Sequence, residues 1–277
     1  MHASDIETQF NPRQAVPDVE THAQRMTQLS AEVRKRRPGL LDIRYGTGPL
    51  ATLDIFPVPT KGAPVHVFLH GGYWRSRDKS DFSFLADGLN PLGICLVVMN
   101  YDLCPQVELP AIVDQAAQGL AWIHAHAAQW GADPNRYSAS GHSAGAHLLA
   151  SVLGRHAHDA ARPDHLPRSA LLISGVYELE PVLSISVNRE IRLRPEQVHP
   201  LSPLRHPPCS QVSVDVAVGG AETQGFVGQS KDYARHCTEH GVNCTYHELM
   251  GLNHYTVLQA LETPAGALSQ LIAKRAS

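Results

Sequence analysis

Apolar positions fall along this chain in two alternating rhythms. Val65-His66-Val67-Phe68-Leu69 and Ile94 to Met99 are short, almost continuous apolar runs. Parallel strands covered on both faces read this way. Tyr137 to Gly141, Ala170 to Ile173, Val212 to Val218 and Cys244 to Leu249 are further strand-like runs. Between them the period lengthens to that of a helix. Asp81 to Asn90 is helical and is stopped by Pro91 and Gly93. Val107 to Trp130 carries Ile112, Ala116, Leu120, Ile123 and Ala127 on one stripe and is closed by Gly131. Ala144 to Leu153 is apolar nearly all round, which predicts a buried helix. Phe226 to His240, ending at Gly241, and Val257 to Ala273 complete the set. Strands alternating with helices predict an α/β domain with a mainly parallel sheet and helices on both faces.

Three stretches break the rhythm. The first forty residues are polar, with a helix expected from Val19 to Arg36 before Pro38-Gly39 ends it. Its basic end, Arg34-Lys35-Arg36-Arg37, reads as a solvated helix terminus. Asp42 to Tyr45 and Thr52 to Phe56 are joined by Gly46, Gly48 and Pro49 and predict an antiparallel hairpin. Gly175 to Ser210 is proline-rich, weakly periodic and too long for an ordinary connection. It reads as a cap covering one end of the sheet. Residues 1–277 are thus expected to form one domain, with an N-terminal helical segment over 1–40 and a cap insertion over about 175–210.

Composition narrows the partners. A chain of 277 residues, 43% hydrophobic, can bury one large core. Its formal charge of −3 gives no global basic field for nucleic acid or a membrane surface. The start, MHASDIETQF, is polar and lacks an apolar core, so no signal peptide is expected, and no run is long enough to predict a transmembrane helix. The five scattered cysteines fit reduced thiols in a cytoplasmic protein. Among the seventeen histidines, the pairs His124/His126 and His156/His158 are two apart, which points them to different helix faces. No metal site is expected. The expected partner is a small-molecule substrate, with a homodimer compatible with the sequence.

The candidate chemistry lies where strands turn into helices. Gly141-His142-Ser143-Ala144-Gly145 is a G-x-S-x-G motif placed between a strand and a helix, the context in which such a serine is a nucleophile on a tight turn. A serine hydroxyl needs a general base, and the base needs an acid to orient it. His254, in the loop after the last strand, is the base expected from position. His247 lies inside that strand and His240 caps a helix. Glu222 is the first acid after the strand Val212 to Val218, whereas Asp215 is within it and Asp232 is two helical turns on. The loop His70-Gly71-Gly72-Tyr73-Trp74 follows the first long parallel strand. Backbone N–H groups there, with that of Ala144, are expected to form an oxyanion hole. His70 reads as an anchor of this loop.

HGGYW and GHSAGAHL together resemble the kynurenine formamidase (arylformamidase) branch of the α/β-hydrolases, near the hormone-sensitive-lipase-like esterases. Phe10-Asn11-Pro12-Arg13, the stretch Tyr45 to Phe56, Gly175-Val176-Tyr177-Glu178-Leu179 and Phe226…Gln229-Ser230 extend the resemblance over most of the chain. The resemblance implies an α/β-hydrolase fold, hydrolysis of N-formyl-L-kynurenine to L-kynurenine and formate, activity on aryl esters, and no cofactor. Carried over by position, it places the nucleophile on Ser143, the base on His254 and the oxyanion donors on Gly72, Tyr73 and Ala144. The family acid is usually Asp in a G-x-x-D pattern. Here Gly219-Gly220-Ala221-Glu222 holds Glu, one methylene longer, which leaves room for a changed geometry and substrate. Gly225 is a second departure, where the family often carries an acid.

A formamide has a very small acyl group, so the leaving-group side is expected to be aromatic-lined, with Tyr73, Trp74 and Tyr177 as candidates. Two other readings stay open. A general short-chain or aryl carboxylesterase shares all of this chemistry. A ligand receptor on a hydrolase scaffold keeps the fold but loses part of the triad, whereas Ser143, Glu222 and His254 make a full set. A further idea gives the polar N-terminal segment a role in oligomerisation.

Overall fold

A computed structural model describes residues 3–276; Met1, His2 and Ser277, the ends of the expected 1–277 domain, lie outside the described residues. Eight strands form one sheet: β1 (Leu40–Arg44), β2 (Thr52–Phe56), β3 (Ala63–Leu69), β4 (Cys95–Met99), β5 (Ala132–His142), β6 (Ser169–Ile173), β7 (Ser213–Gly219) and β8 (Cys244–Leu249). Their order is β1-β2-β4-β3-β5-β6-β7-β8. The first two strands are antiparallel, as the Gly/Pro-rich turn predicts, and β3 to β8 run parallel.

The helices are α1 (Ala3–Phe10), α2 (Pro12–Ala15), α3 (Val19–Arg36), α4 (Leu85–Leu89), α5 (Leu109–His126), α6 (Ala144–Gly154), α7 (Asn188–Ile191), α8 (Pro195–Leu201), α9 (Gln224–Glu239) and α10 (Ala267–Ala276). Successive side chains of β4 alternate between two apolar layers. From β4, Cys95, Val97 and Met99 enter the layer shared with α5, α6 and α9. Leu96 and Val98 enter the layer shared with α3, α4 and α10. This two-sided burial explains the continuous apolar runs in the sequence. Among the described residues no helix is long and apolar enough to cross a membrane.

Several expectations are corrected. The helix expected over Val107 to Trp130 is α5 followed by a 3₁₀ turn, Ala127–Trp130, and Glu108 is its N-cap. Asp81 to Asn90 is divided between 3₁₀ turns and the short α4. Val257 to Ala273 is a 3₁₀ turn, Thr256–Leu261, and then α10. Pro264, between the two, cannot donate a helical hydrogen bond. The strand expected over Tyr137 to Gly141 extends back to Ala132 through an irregular pairing with β3 near Pro64.

The basic end of α3 is solvated only in part: Lys35 and Arg36 are exposed, but three of its arginines are paired. Arg34 pairs with the fully buried Asp54 of β2, and Arg36 and Arg37 both reach Asp87 of α4. These charges dock α3 on the sheet. The N-terminal forty residues also hold two helices the hydrophobic pattern did not reveal. Asn11 caps α2 by accepting from the Arg13 N–H at 3.3 Å, with Pro12 at the first helical position.

Candidate active site

Parallel register brings the site together. Leu69 pairs with Gly141, His142 with Ile173, Ile173 with Ala217, and Gly219 with Leu249. The loops leaving β3, β5, β6, β7 and β8 therefore emerge along one edge of the sheet. Ser143 stands alone between β5 and α6, at φ 54° and ψ −116°. A non-glycine residue is strained there, and such strain concentrates at functional sites. Its N–H donates to the Ile173 carbonyl at 2.8 Å, which fixes the turn. The flanking glycines make the turn possible. A Cβ on Gly145 would lie 2.0 Å from the Leu69 carbonyl oxygen, and one on Gly141 would lie 2.3 Å from that of Gly145.

His254 Nε2 lies 3.0 Å from Ser143 Oγ, and its Nδ1 lies 2.7 Å from Glu222 Oε2. The other carboxylate oxygen of Glu222 accepts from the Gly219 N–H at 2.8 Å and from the Ser174 hydroxyl. Glu222 is almost fully buried. The acid and base loops are stitched together: Gly220 N–H donates to Leu249 and Ala221 N–H to Leu252. The three residues expected to form a triad thus meet in one chain of hydrogen bonds. The extra methylene of Glu is taken up by the Ser174 and Gly219 contacts. His247, by contrast, is paired with Asp215 at 2.9 Å.

The loop after β3 carries three successive positive φ values: Gly72 at 114°, Tyr73 at 50° and Trp74 at 55°. It folds back over Ser143, and a Cβ on Gly71 would come within 3.1 Å of Ser143 Cβ. The N–H groups of Gly72, Tyr73 and Ala144 donate no hydrogen bond among the described residues. Beneath the loop, His70 bonds to the Gly71 carbonyl and to Asn100, each at 2.8 Å, and stacks on Tyr101 at 4.3 Å. Burial holds the pKa of His70 below the usual histidine value.

Ser143 and His254 line a cleft that is partly open to solvent. Tyr73, Phe82, Tyr255, Met26, Leu258 and Val187 supply its apolar surface. Trp74 and Tyr177, expected to line the leaving-group side, do not reach it. Trp74 is buried, edge-on to His147 at 4.8 Å, and Tyr177 is buried and stacked on Tyr233 at 4.1 Å. The loop's positive φ values turn Trp74 inward to the core, leaving only Tyr73 of the pair on the cleft.

The sequence reading missed the roles of Phe82, Tyr255 and the N-terminal residues Asn11, Pro12 and Arg13 in the cleft wall. It also missed Arg75 and Arg77. These follow the HGGYW motif directly, and that adjacency was the signal available. His142 is a further member. Its Nε2 lies 2.9 Å from the His254 carbonyl oxygen. Burial and the neighbouring His254 hold its pKa well below the usual value, so the neutral ring donates that bond.

Residues 66–258 match a protein family described by its alpha/beta hydrolase fold. The kynurenine formamidase of Salmo salar is 30% identical across 99% of this chain and 96% of its own length. The chain belongs to the α/β-hydrolase family, on its kynurenine formamidase-like branch. The kynurenine formamidase of Danio rerio is 27% identical over 99% of this chain and 96% of its own length. A solved structure from Silicibacter sp. TM1040 superposes with a TM-score of 0.82 at 25% identity, covering 97% of this chain and 98% of that one. This α/β-hydrolase accordingly has the fold and strand–turn–helix motif that support formamide or ester hydrolysis.

Proposed function

We propose that this α/β-hydrolase cleaves an aryl formamide, N-formyl-L-kynurenine, to L-kynurenine and formate through an acyl-enzyme. The hydrogen-bonded chain Glu222–His254–Ser143 at the floor of the cleft carries the reading. Ser143 Oγ attacks the formyl carbon while His254 Nε2 takes its proton. Glu222 keeps the Nδ1 proton in place and stabilises the imidazolium. The N–H groups of Gly72, Tyr73 and Ala144 receive the developing oxyanion without reorganising. His254 then protonates the departing arylamine, and water, deprotonated by the same ring, releases formate. The segment over 175–210 serves as a cap, with Val187 on the cleft. Five free cysteines support a cytoplasmic setting.

The test is kcat/KM on N-formyl-L-kynurenine and on 4-nitrophenyl acetate, for the wild type and Ser143→Ala. The expected outcome is turnover of both by the wild type, with the formamide preferred, and a loss of about 10⁶-fold in kcat in the variant. A formamide rate far below the ester rate defeats the substrate assignment. Equal rates for wild type and variant defeat the mechanism.

A further inference from the structure

The cleft has a one-sided charge. Arg13, Arg75 and Arg77 line it, and among the described residues no carboxylate does, because Glu222 stands behind His254. Arg13 is a surface residue paired with Glu20, and Arg77 makes only a 3.8 Å contact with Asp81. Arg75 is more confined. Its Nη1 donates to Glu190 of α7 at 2.8 Å, and among the described residues its buried Nε–H and its Nη2 have no acceptor. A buried donor left unmade is costly, so Arg75, which lines the cleft, keeps hydrogen-bonding capacity for an acceptor. The Nε/Nη2 edge of a guanidinium matches the two oxygens of a carboxylate.

Arg75 is also tied to the reacting centre. Its own N–H donates to the Gly72 carbonyl at 3.1 Å, and the Ser76 hydroxyl donates to the same oxygen at 3.0 Å. The guanidinium is therefore carried by the loop that presents the oxyanion donors. The field of the three arginines reaches the opposite wall. Burial raises the pKa of the Tyr255 phenol, and Arg13, Arg77 and Arg75 each oppose that rise.

We infer that Arg75, with Arg13 and Arg77 beside it, determines specificity by selecting substrates that carry a carboxylate on the leaving-group side. The inference rests on the hydrolase reading above. With a formyl acyl group, any charge on the substrate has to sit on the leaving group. Arg75 takes the carboxylate in a two-bond fork, and the other two arginines supply a field that neutral esters do not exploit.

The experiment uses the full-length enzyme and two aryl acetates of equal shape, 4-acetoxyphenylpropionate and its propanamide. The wild type is expected to favour the carboxylate by about 10- to 100-fold in kcat/KM, the size of one charge-assisted pair. Arg75→Met is expected to remove that preference, and Arg75→Lys to restore part of it. Glu190→Gln breaks the same contact with α7 but leaves the guanidinium, so the preference is expected to survive. Thermal melts establish that each variant is folded. Equal wild-type rates on the two acetates overturn the inference. So does an equal loss of preference in Arg75→Met and Glu190→Gln, which would make Arg75 only an anchor for α7. Turnover of neither acetate, nor of 4-nitrophenyl acetate, defeats the hydrolase reading itself, and the inference falls with it.

Discussion

At Glu222 a single methylene decides how the acid sits. The side chain bridges the Gly219 N–H, the Ser174 hydroxyl and His254 Nδ1, so its position is fixed from three directions. Glu222→Gln presents an amide in place of an acceptor oxygen and favours the wrong tautomer of His254. A drop of about 10⁴-fold in kcat is expected, read on 4-nitrophenyl acetate. Glu222→Asp keeps the charge but withdraws it. A loss of about 10²-fold is expected, the usual consequence of a small misplacement. Unchanged rates in both variants would show that another group orients the imidazole. The candidate acid could be read in the sequence because the first carboxylate after β7 is the one the fold can bring to His254. What Glu222 bonds to with its second oxygen could not be read, since Ser174 is 48 residues away in the chain.

At the scale of elements, the docking of α3 shows how charge replaces apolar contact at a layer edge. Asp54 is completely buried and receives Arg34, Lys79 at 3.4 Å and the Asp42 N–H at 2.8 Å. Removing the shared carboxylate strips Arg34 of its buried partner and leaves Lys79 with Asp42 at 2.6 Å. Asp54→Ala is expected to cost about 3 to 5 kcal/mol in urea unfolding. Arg34→Ala should cost less, because Lys79 still answers Asp54. The double variant should fall short of the sum, as coupled sites do; strict additivity would show that the pair does not interact. The sequence located α3 closely, but its basic end looked like any solvated helix terminus. Only the packing of α3 over β2 and α4 supplies the partners Asp54 and Asp87.

The whole molecule keeps several histidines uncharged. His66 is buried between the Ser138 and Ser140 hydroxyls, at 2.8 and 2.7 Å, and burial pushes its pKa down to about 3. Burial likewise pushes His147 down to about 4 and lowers His70 and His142. The unfolded chain takes up protons on these rings near pH 6.5, whereas the folded chain resists. Unfolding is thus favoured as pH falls below about 6.5, by at most about 1.4 kcal/mol per pH unit for each histidine. The stability is fully present above that pH and declines towards the folded values. The expected result is a clear fall in the urea midpoint between pH 7.5 and pH 5. A flat profile would mean that these rings are not held neutral.

The fold class, the strand–helix alternation and the G-x-S-x-G turn were legible in local order, because apolar periodicity and glycine placement are properties of neighbouring residues. The candidate triad was legible for a related reason: in a parallel sheet each loop's place in the chain also sets its place on the sheet edge. The cleft wall was not legible. Whether Tyr73, Trp74, Phe82 or Tyr255 faces the cleft depends on a run of positive φ values and on packing against His147 and the N-terminal helices. Nor could the sequence show that Asn11, Pro12 and Arg13 line the same cleft as Ser143. Such contacts join residues far apart in the chain, and only the three-dimensional arrangement of the layers decides them.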